Sequence, residues 1–129
     1  MARTAITPTA LTPSTQNAVV LASAGVAIDA TNSHVITPPT GYSIDDLELW
    51  IYNTTASTKV ATVKAGDNPP ALAAGHGDLA VSLTDGSTTP TMARVPLASG
   101  RFSQSDGTVE VDIAASMTGR IACYYRTKG

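Results

Sequence analysis

Histidine is scarce in this chain, with two in 129 residues, His34 and His76. A Ser or Cys nucleophile needs a base and an orienting acid, and His is the usual base. Neither histidine lies in a nucleophile motif, and no Gly-x-Ser-x-Gly elbow, Walker loop or dinucleotide fingerprint occurs. There is one cysteine, Cys123, so no intrachain disulfide forms and packing alone must hold the fold. That suits assembly in a reducing cytoplasm. Charged residues are only 14% of the chain and the formal net charge is −2. The basic residues Arg3, Lys59, Lys64, Arg94, Arg101 and Arg120 are scattered singly, with a loose Arg126–Lys128 cluster. A nucleic-acid binder would concentrate them in a stripe against phosphate, so no nucleic-acid partner is expected. No stretch reaches the length of a membrane span, and Met1-Ala2-Arg3-Thr4 lacks the apolar run of a secretory signal. Neither a membrane nor a secretory route is expected. The Asn53-Thr54-Thr55 triplet therefore reads as a coincidental glycosylation match.

Aromatics make up 5% of the chain, with a single Phe, Phe102. Ala and Val supply much of the 43% that is apolar. Small side chains remove little area from water, at about 25 cal/mol per Å². The length allows one domain with a modest core. Subunit contacts would add stability to such a fold by mass action, and a low-charge surface of Thr, Ser and Ala suits contact with protein.

The remaining polar residues give weak candidates for chemistry. His76 sits in the loop Gly75-His76-Gly77-Asp78, and His34 opens a short strand at its edge. Asp67 with Asp78, or Asp45 with Asp46, offer oxygens for a cation, but calcium needs six or more that converge. Glu110 and Asp112 share a strand face about 6–7 Å apart, a spacing that glycoside hydrolysis uses. Sugar sites add aromatic platforms, which are few here, so the pair reads as a solvent face. Cys123 alternates with Ile121 and Tyr125 as a small buried hydrophobe. No metal, cofactor or small-molecule substrate is expected, and no catalytic residue is assigned.

What the chain does have is a series of short β-type runs separated by Gly, Pro, Asp and Asn. They are Asn17–Ser23, Val26–Ala30, Ser33–Thr37, Leu47–Asn53, Thr58–Lys64, Leu79–Leu83, Met92–Leu97, Arg101–Gln104, Val109–Ile113 and Arg120–Arg126. Leu47, Leu49 and Ile51 share one face of the clearest run, with Glu48, Trp50 and Tyr52 on the other. No segment carries a sustained helical period with a cap and a stop. Many short strands without helices indicate an all-β sandwich or barrel, with a jelly-roll-like sandwich as the expected topology. Residues 1–17, with Thr7-Pro8 and Thr12-Pro13, carry no period and read as an extended N-terminal arm. The single β-sandwich domain then covers 18–129. The residues expected to meet a subunit or partner are Thr7, Pro8, Leu11 and Pro13 on the arm, Trp50 and Tyr52, and Pro69 and Pro70 in the long Gly66–Gly77 loop.

Val63-Lys64-Ala65-Gly66-Asp67-Asn68-Pro69-Pro70-Ala71-Leu72, Arg101-Phe102-Ser103-Gln104-Ser105-Asp106-Gly107 and Ala115-Ser116-Met117-Thr118-Gly119 are loop and turn signatures. These three stretches resemble small structural proteins of tailed bacteriophages, the decoration or cement proteins of the capsid. The resemblance implies a jelly-roll-like sandwich, commonly a homotrimer, seated on the capsid exterior of the virion. Its partner would be the major capsid protein, and an arm would reach across capsomers. Such a protein stabilises the head by bridging capsid subunits and is not an enzyme. On this reading, deleting residues 1–17 weakens attachment and leaves the β-domain folded. The alternatives are a carbohydrate-binding module, with Trp50 and Tyr42 or Tyr124 as its platform, or another virion component of the tail or head-completion type.

Overall fold

Period-2 alternation in the sequence becomes two facing sheets in the structure. The computed structural model describes residues 2–14, 16–18, 25–66, 77–86, 91–97, 102 and 104–127. Among these, ten strands run in the order β1 (Thr4–Ile6), β2 (Thr9–Leu11), β3 (Val26–Ala27), β4 (His34–Ile36), β5 (Leu47–Asn53), β6 (Lys59–Val63), β7 (Leu79–Leu83), β8 (Thr91–Pro96), β9 (Val109–Ile113) and β10 (Gly119–Arg126). A single 3-10 turn, Ile44–Asp46, leads into β5, and the Asp46 carboxylate caps it by accepting from the Ser43 backbone N–H at 3.0 Å. The protein is an all-β sandwich of two mixed five-stranded sheets. The first has the order β1-β4-β9-β6-β7, and the second β2-β10-β5-β8 with β3 also on β10.

The pairing is nested. Antiparallel partners are β6 with β7, β5 with β8, β4 with β9 and β3 with β10. Each step outward in sequence thus adds a pair on alternate sheets. Between the sheets, inward residues of one face the inward residues of the other, as sandwiches require. Ile6, His34, Ile36, Ala61, Val63, Leu83, Val109 and Val111 line the first sheet; Leu47, Leu49, Ile51, Ile121 and Cys123 line the second, and all are buried. Phe102 and Met117 are buried with them. Leu79 and Val81, which alternate inward with Leu83, are only half-buried because β7 is an edge strand.

Residues 1–17 were expected as an arm apart from the domain, and over two stretches they are strands of it. β1 pairs in parallel with β4, Thr4 opposite His34 and Ile6 opposite Ile36. β2 pairs in parallel with the end of β10, Leu11 opposite Arg126. Thr7 and Pro8 carry the chain from one sheet to the other. Pro8 has no N–H to lose at this crossing. Ile6 is 2% exposed and belongs to the core. Removing residues 1–17 would therefore strip an edge strand from both sheets. The runs expected at Asn17–Ser23 and Arg101–Gln104 form no strand over their described residues, and residues 67–76 of the Gly66–Gly77 loop lie outside the described residues.

Asn53 closes β5 at the point where the chain turns back. It is 0% exposed; its amide donates to the carbonyls of Ser57, Leu83 and Thr84 at 3.3, 3.3 and 2.8 Å, and its oxygen accepts from Thr55 N–H at 2.9 Å. With the amide fully used and buried, the Asn53-Thr54-Thr55 triplet offers no access for a glycan in the folded protein.

Candidate functional site

The outer face of the second sheet gathers the aromatic residues that the core does not use. Because successive strand residues point to opposite sides, Leu49 and Ile51 facing inward turn Glu48, Trp50 and Tyr52 outward. Strand register then sets their neighbours. Arg94 and Ala122 flank Trp50, Pro96 and Tyr124 flank Glu48, and Met92 and Arg120 flank Tyr52. The Trp50 and Tyr124 rings meet diagonally, centroids 4.5 Å apart and planes tilted by 52°. The Arg94 guanidinium lies over the Trp50 ring, 5.1 Å from its centroid. Glu48 joins the two, its Oε1 accepting from Trp50 Nε1 at 2.5 Å and from Arg94 Nε at 2.6 Å. One carboxylate thus fixes both an indole and a guanidinium, and the guanidinium in turn covers the indole.

At the end of this face the surface dips into an open groove of about 580 Å³. Glu48, Arg94, Pro96, Tyr124 and Arg126 line it, and Leu11 of β2 forms part of its wall. Tyr124 is 5% exposed, and burial pushes its phenol pKa up from the usual value. The groove mixes both signs of charge, with Asp45 and Asp46 on its rim.

Of the residues expected to meet a partner, Trp50 and Tyr52 share this face and Leu11 walls the groove at its end, all half-buried. Pro13 and Thr7 are exposed along the edge strands, and Pro8 is half-buried at the crossing. Pro69 and Pro70 lie outside the described residues. Alternation had placed Glu48 on this face without assigning it a role, and Arg94 and Met92 were missed. The signal for those two exists only in the register of β8 on β5, which no local pattern reveals.

The aromatic platform of a carbohydrate module is not assembled. Tyr42 stacks on Tyr125, at 4.7 Å and 58°, away from Trp50. Tyr124 is buried, and Arg94 occupies the flat surface of Trp50 that a sugar ring would need.

The weak candidates for chemistry are tied into structure. Arg3 binds Asp112 at 2.7 Å and Glu110 at 3.5 Å, and Lys64 binds Asp78 at 3.0 Å and Asp112 at 3.8 Å. Pairs this exposed contribute about 0–1 kcal/mol each; they mark a solvated face of the first sheet. Asp78 also accepts from the Ala65 backbone N–H at 2.6 Å. His76 and Asp67 lie outside the described residues. Among the described residues no three His, Cys, Asp or Glu converge on one point. Burial pushes the Cys123 thiol up to about 12.

His34 opens β4, as expected, and is 0% exposed, its strand lying between β1 and β9. Its Nε2 accepts from the Asp29 backbone N–H at 2.9 Å, which leaves the proton on Nδ1 to donate to the Thr4 carbonyl at 3.1 Å. Asp29 in turn accepts from Thr4 Oγ1 at 2.5 Å and from the Asn32 side chain and backbone, and these bonds, led by that from Thr4, hold its carboxyl far below the usual range. Burial lowers the His34 pKa, because the charged imidazolium loses more water than the neutral ring. A second ring proton would also confront the Asp29 N–H. The unfolded chain takes up this proton near pH 6.5, and the folded chain takes it up only at lower pH. Stability from His34 is therefore full above about pH 6.5 and falls as acid is added through the window below it. Urea melts between pH 7 and pH 5 should show the midpoint dropping, and His34→Gln should flatten that slope. Asp29 titrates too low to contribute there. An unchanged slope in the variant would remove His34 as the cause.

No family model matches the chain, and neither a curated protein nor a solved structure matches it.

Proposed function

We propose that this chain is a structural subunit of a virion, a jelly-roll decoration protein seated as a homotrimer on the exterior of a tailed-phage head. The nested pairing of β3–β10, β4–β9, β5–β8 and β6–β7 supports the jelly-roll winding, which is two interleaved Greek keys. The observation that carries the functional reading is the outer face of the second sheet. Trp50, Tyr52, Met92 and Arg94 stand there outside the core, at most half-buried. Trp, Tyr and Arg concentrate at the energetic centres of protein interfaces, and Met is enriched with them. The Arg94–Glu48–Trp50 bonds hold these groups in place before any partner arrives, which lowers the ordering cost of association. The resemblance of the loop sequences supports the major capsid protein as the partner. A repeating shell then presents many sites, and multivalent attachment makes weak single contacts sufficient.

Co-sedimentation with empty phage heads tests the reading. The wild-type chain should pellet with heads and stay in solution without them. Trp50→Ala together with Tyr52→Ala should unfold cooperatively like the parent, since neither faces the core, yet lose about 30-fold in apparent affinity, the effect of about 2 kcal/mol at a hot spot. Pelleting unaffected by the double variant would remove this face from the interface. A wild-type protein that ignores heads would overturn the capsid reading itself.

A further inference from the structure

The nested antiparallel pairs are complete without β1 and β2. Those two strands lie on the rim, both in parallel, one on each sheet. Their docking contacts are all made to distant segments of the chain. Arg3 donates to the carbonyls of His34 and Val111 at 3.4 and 3.3 Å, and Thr4 N–H to Ser33 at 2.9 Å. Thr127 N–H donates to Leu11 at 3.1 Å. An identical strand pair from another copy would make the same contacts, and the only difference between the two states lies in the connection that follows Leu11.

That connection is long and begins with strain. Leu11 sits opposite Arg126 and Val26 opposite Ile121, so the closed chain must return only about 17 Å along β10 at ~3.4 Å per residue. A chain of that length, residues 12–25, has a maximum reach of about 46 Å, which exceeds the diameter of roughly 36 Å for a domain of this length. The return starts in a tight turn, where Thr12 N–H donates to Asn17 Oδ1 at 3.0 Å and Asn17 Nδ2 to the Thr12 carbonyl at 3.1 Å. Within it Ser14 has φ of 59°, a left-handed conformation that a residue with a Cβ adopts only at a cost. Opening the turn releases that strain.

We infer that the β1–β2 strand pair, residues 3–11, is exchanged between copies of this chain, each subunit laying it on β4 and β10 of the next with the Thr12–Asn17 turn as hinge. The partner is a second copy because the acceptor edge is built for this sequence. Ile6 fills the core beside Ile36, Thr4 satisfies His34 and Asp29, and Arg3 meets Glu110 and Asp112. Head-to-tail donation is a heterologous contact, which closes into a ring when the rotation allows it, and so suits a trimer. The inference rests on the chain being an assembly subunit, but it is tested in solution without heads.

Ala5 lies opposite Val35 and Leu11 opposite Arg126, two register pairs in reach of a disulfide. Ala5→Cys and Val35→Cys chains, prepared separately, are mixed, refolded together and oxidised; Leu11→Cys with Arg126→Cys provides a second pair at the surface. The buried Cys123 stays out of the reaction. Exchange predicts a covalent heterodimer of the two variants on a non-reducing gel for both pairs. Ser14→Gly, which relieves the left-handed strain, should lower the oligomer fraction about 5-fold, and Ser14→Pro, whose ring forbids that φ, should raise it. Doubly substituted chains that close only within themselves, with no cross-linking between mixed single variants, would overturn the inference. Heads that bind a protein without exchange would leave the decoration reading standing, and exchange without head binding would remove only the capsid partner.

Discussion

A chain lacking residues 2–11 should fail to fold as a stable monomer. Ile6 is 2% exposed and packs in the core, and truncating a buried Ile to Ala alone costs about 2–5 kcal/mol. The deletion goes further. It removes the Thr4 carbonyl that receives the His34 Nδ1 proton and the Thr4 hydroxyl that donates to Asp29, leaving a buried ring nitrogen without a partner at a cost of about 1–3 kcal/mol. It also bares the edges of β4 and of the end of β10. Domains of this size hold only about 5–15 kcal/mol in total, so losses of this order consume much of it. Far-UV circular dichroism and urea titration should show loss of the cooperative transition in the truncated chain, while Ile6→Ala keeps a transition with a clearly lowered midpoint. A synthetic peptide of residues 2–12 added to the truncated chain should restore part of the signal, because its docking contacts are all to the remainder of the fold. A truncated protein that melts like the parent would show that β1 adds no packing.

The alternating segments were legible because their physics is local. Leu47–Asn53 and Val109–Ile113 read as strands from period-2 patterning, and the structure has both with those bounds. The same pattern turned Trp50 and Tyr52 away from Leu49 and Ile51, so the key residues of the outer face could be found. Arg94 could not, since its place over Trp50 depends on β8 pairing with β5, a contact between segments far apart in sequence. The N-terminal strands were illegible for a related reason. Thr4-Ala5-Ile6 and Thr9-Ala10-Leu11 are too short to show a period, and Pro8 interrupts them. Their strand character comes from parallel pairing with β4 and β10, segments far away in sequence. His34 shows the same limit on a smaller scale. In a three-residue strand, local sequence does not say which face turns inward, and pairing with Val111 decides it.

Gly119 gives the sharpest test of whether β5 and β10 are held in this register. Its φ is +139°, and a Cβ there would stand 1.8 Å from the Tyr52 carbonyl oxygen, with Asn53 Cα at 3.3 Å. Side chains do not tolerate this backbone conformation or this approach. Relief requires β10 to move away from β5, yet a slip by one residue would turn Ile121 and Cys123 outward and Ala122 and Tyr124 into the core. Neither escape is cheap, so Gly119→Val should cost more than about 4 kcal/mol, the range that marks a specific structural lesion. Gly107 separates the two causes. It also has a positive φ, +85°, but a Cβ there meets nothing within 4 Å, so Gly107→Ala carries only the dihedral cost of about 1 kcal/mol. Urea melts of Gly107→Ala, Gly119→Ala and Gly119→Val should therefore rank in that order of increasing loss, with the Trp50 fluorescence perturbed only in the Gly119 variants. Equal losses at the two glycines would mean that the Tyr52 carbonyl yields freely, and the face that carries Trp50 and Tyr124 would then not depend on the close approach of these strands.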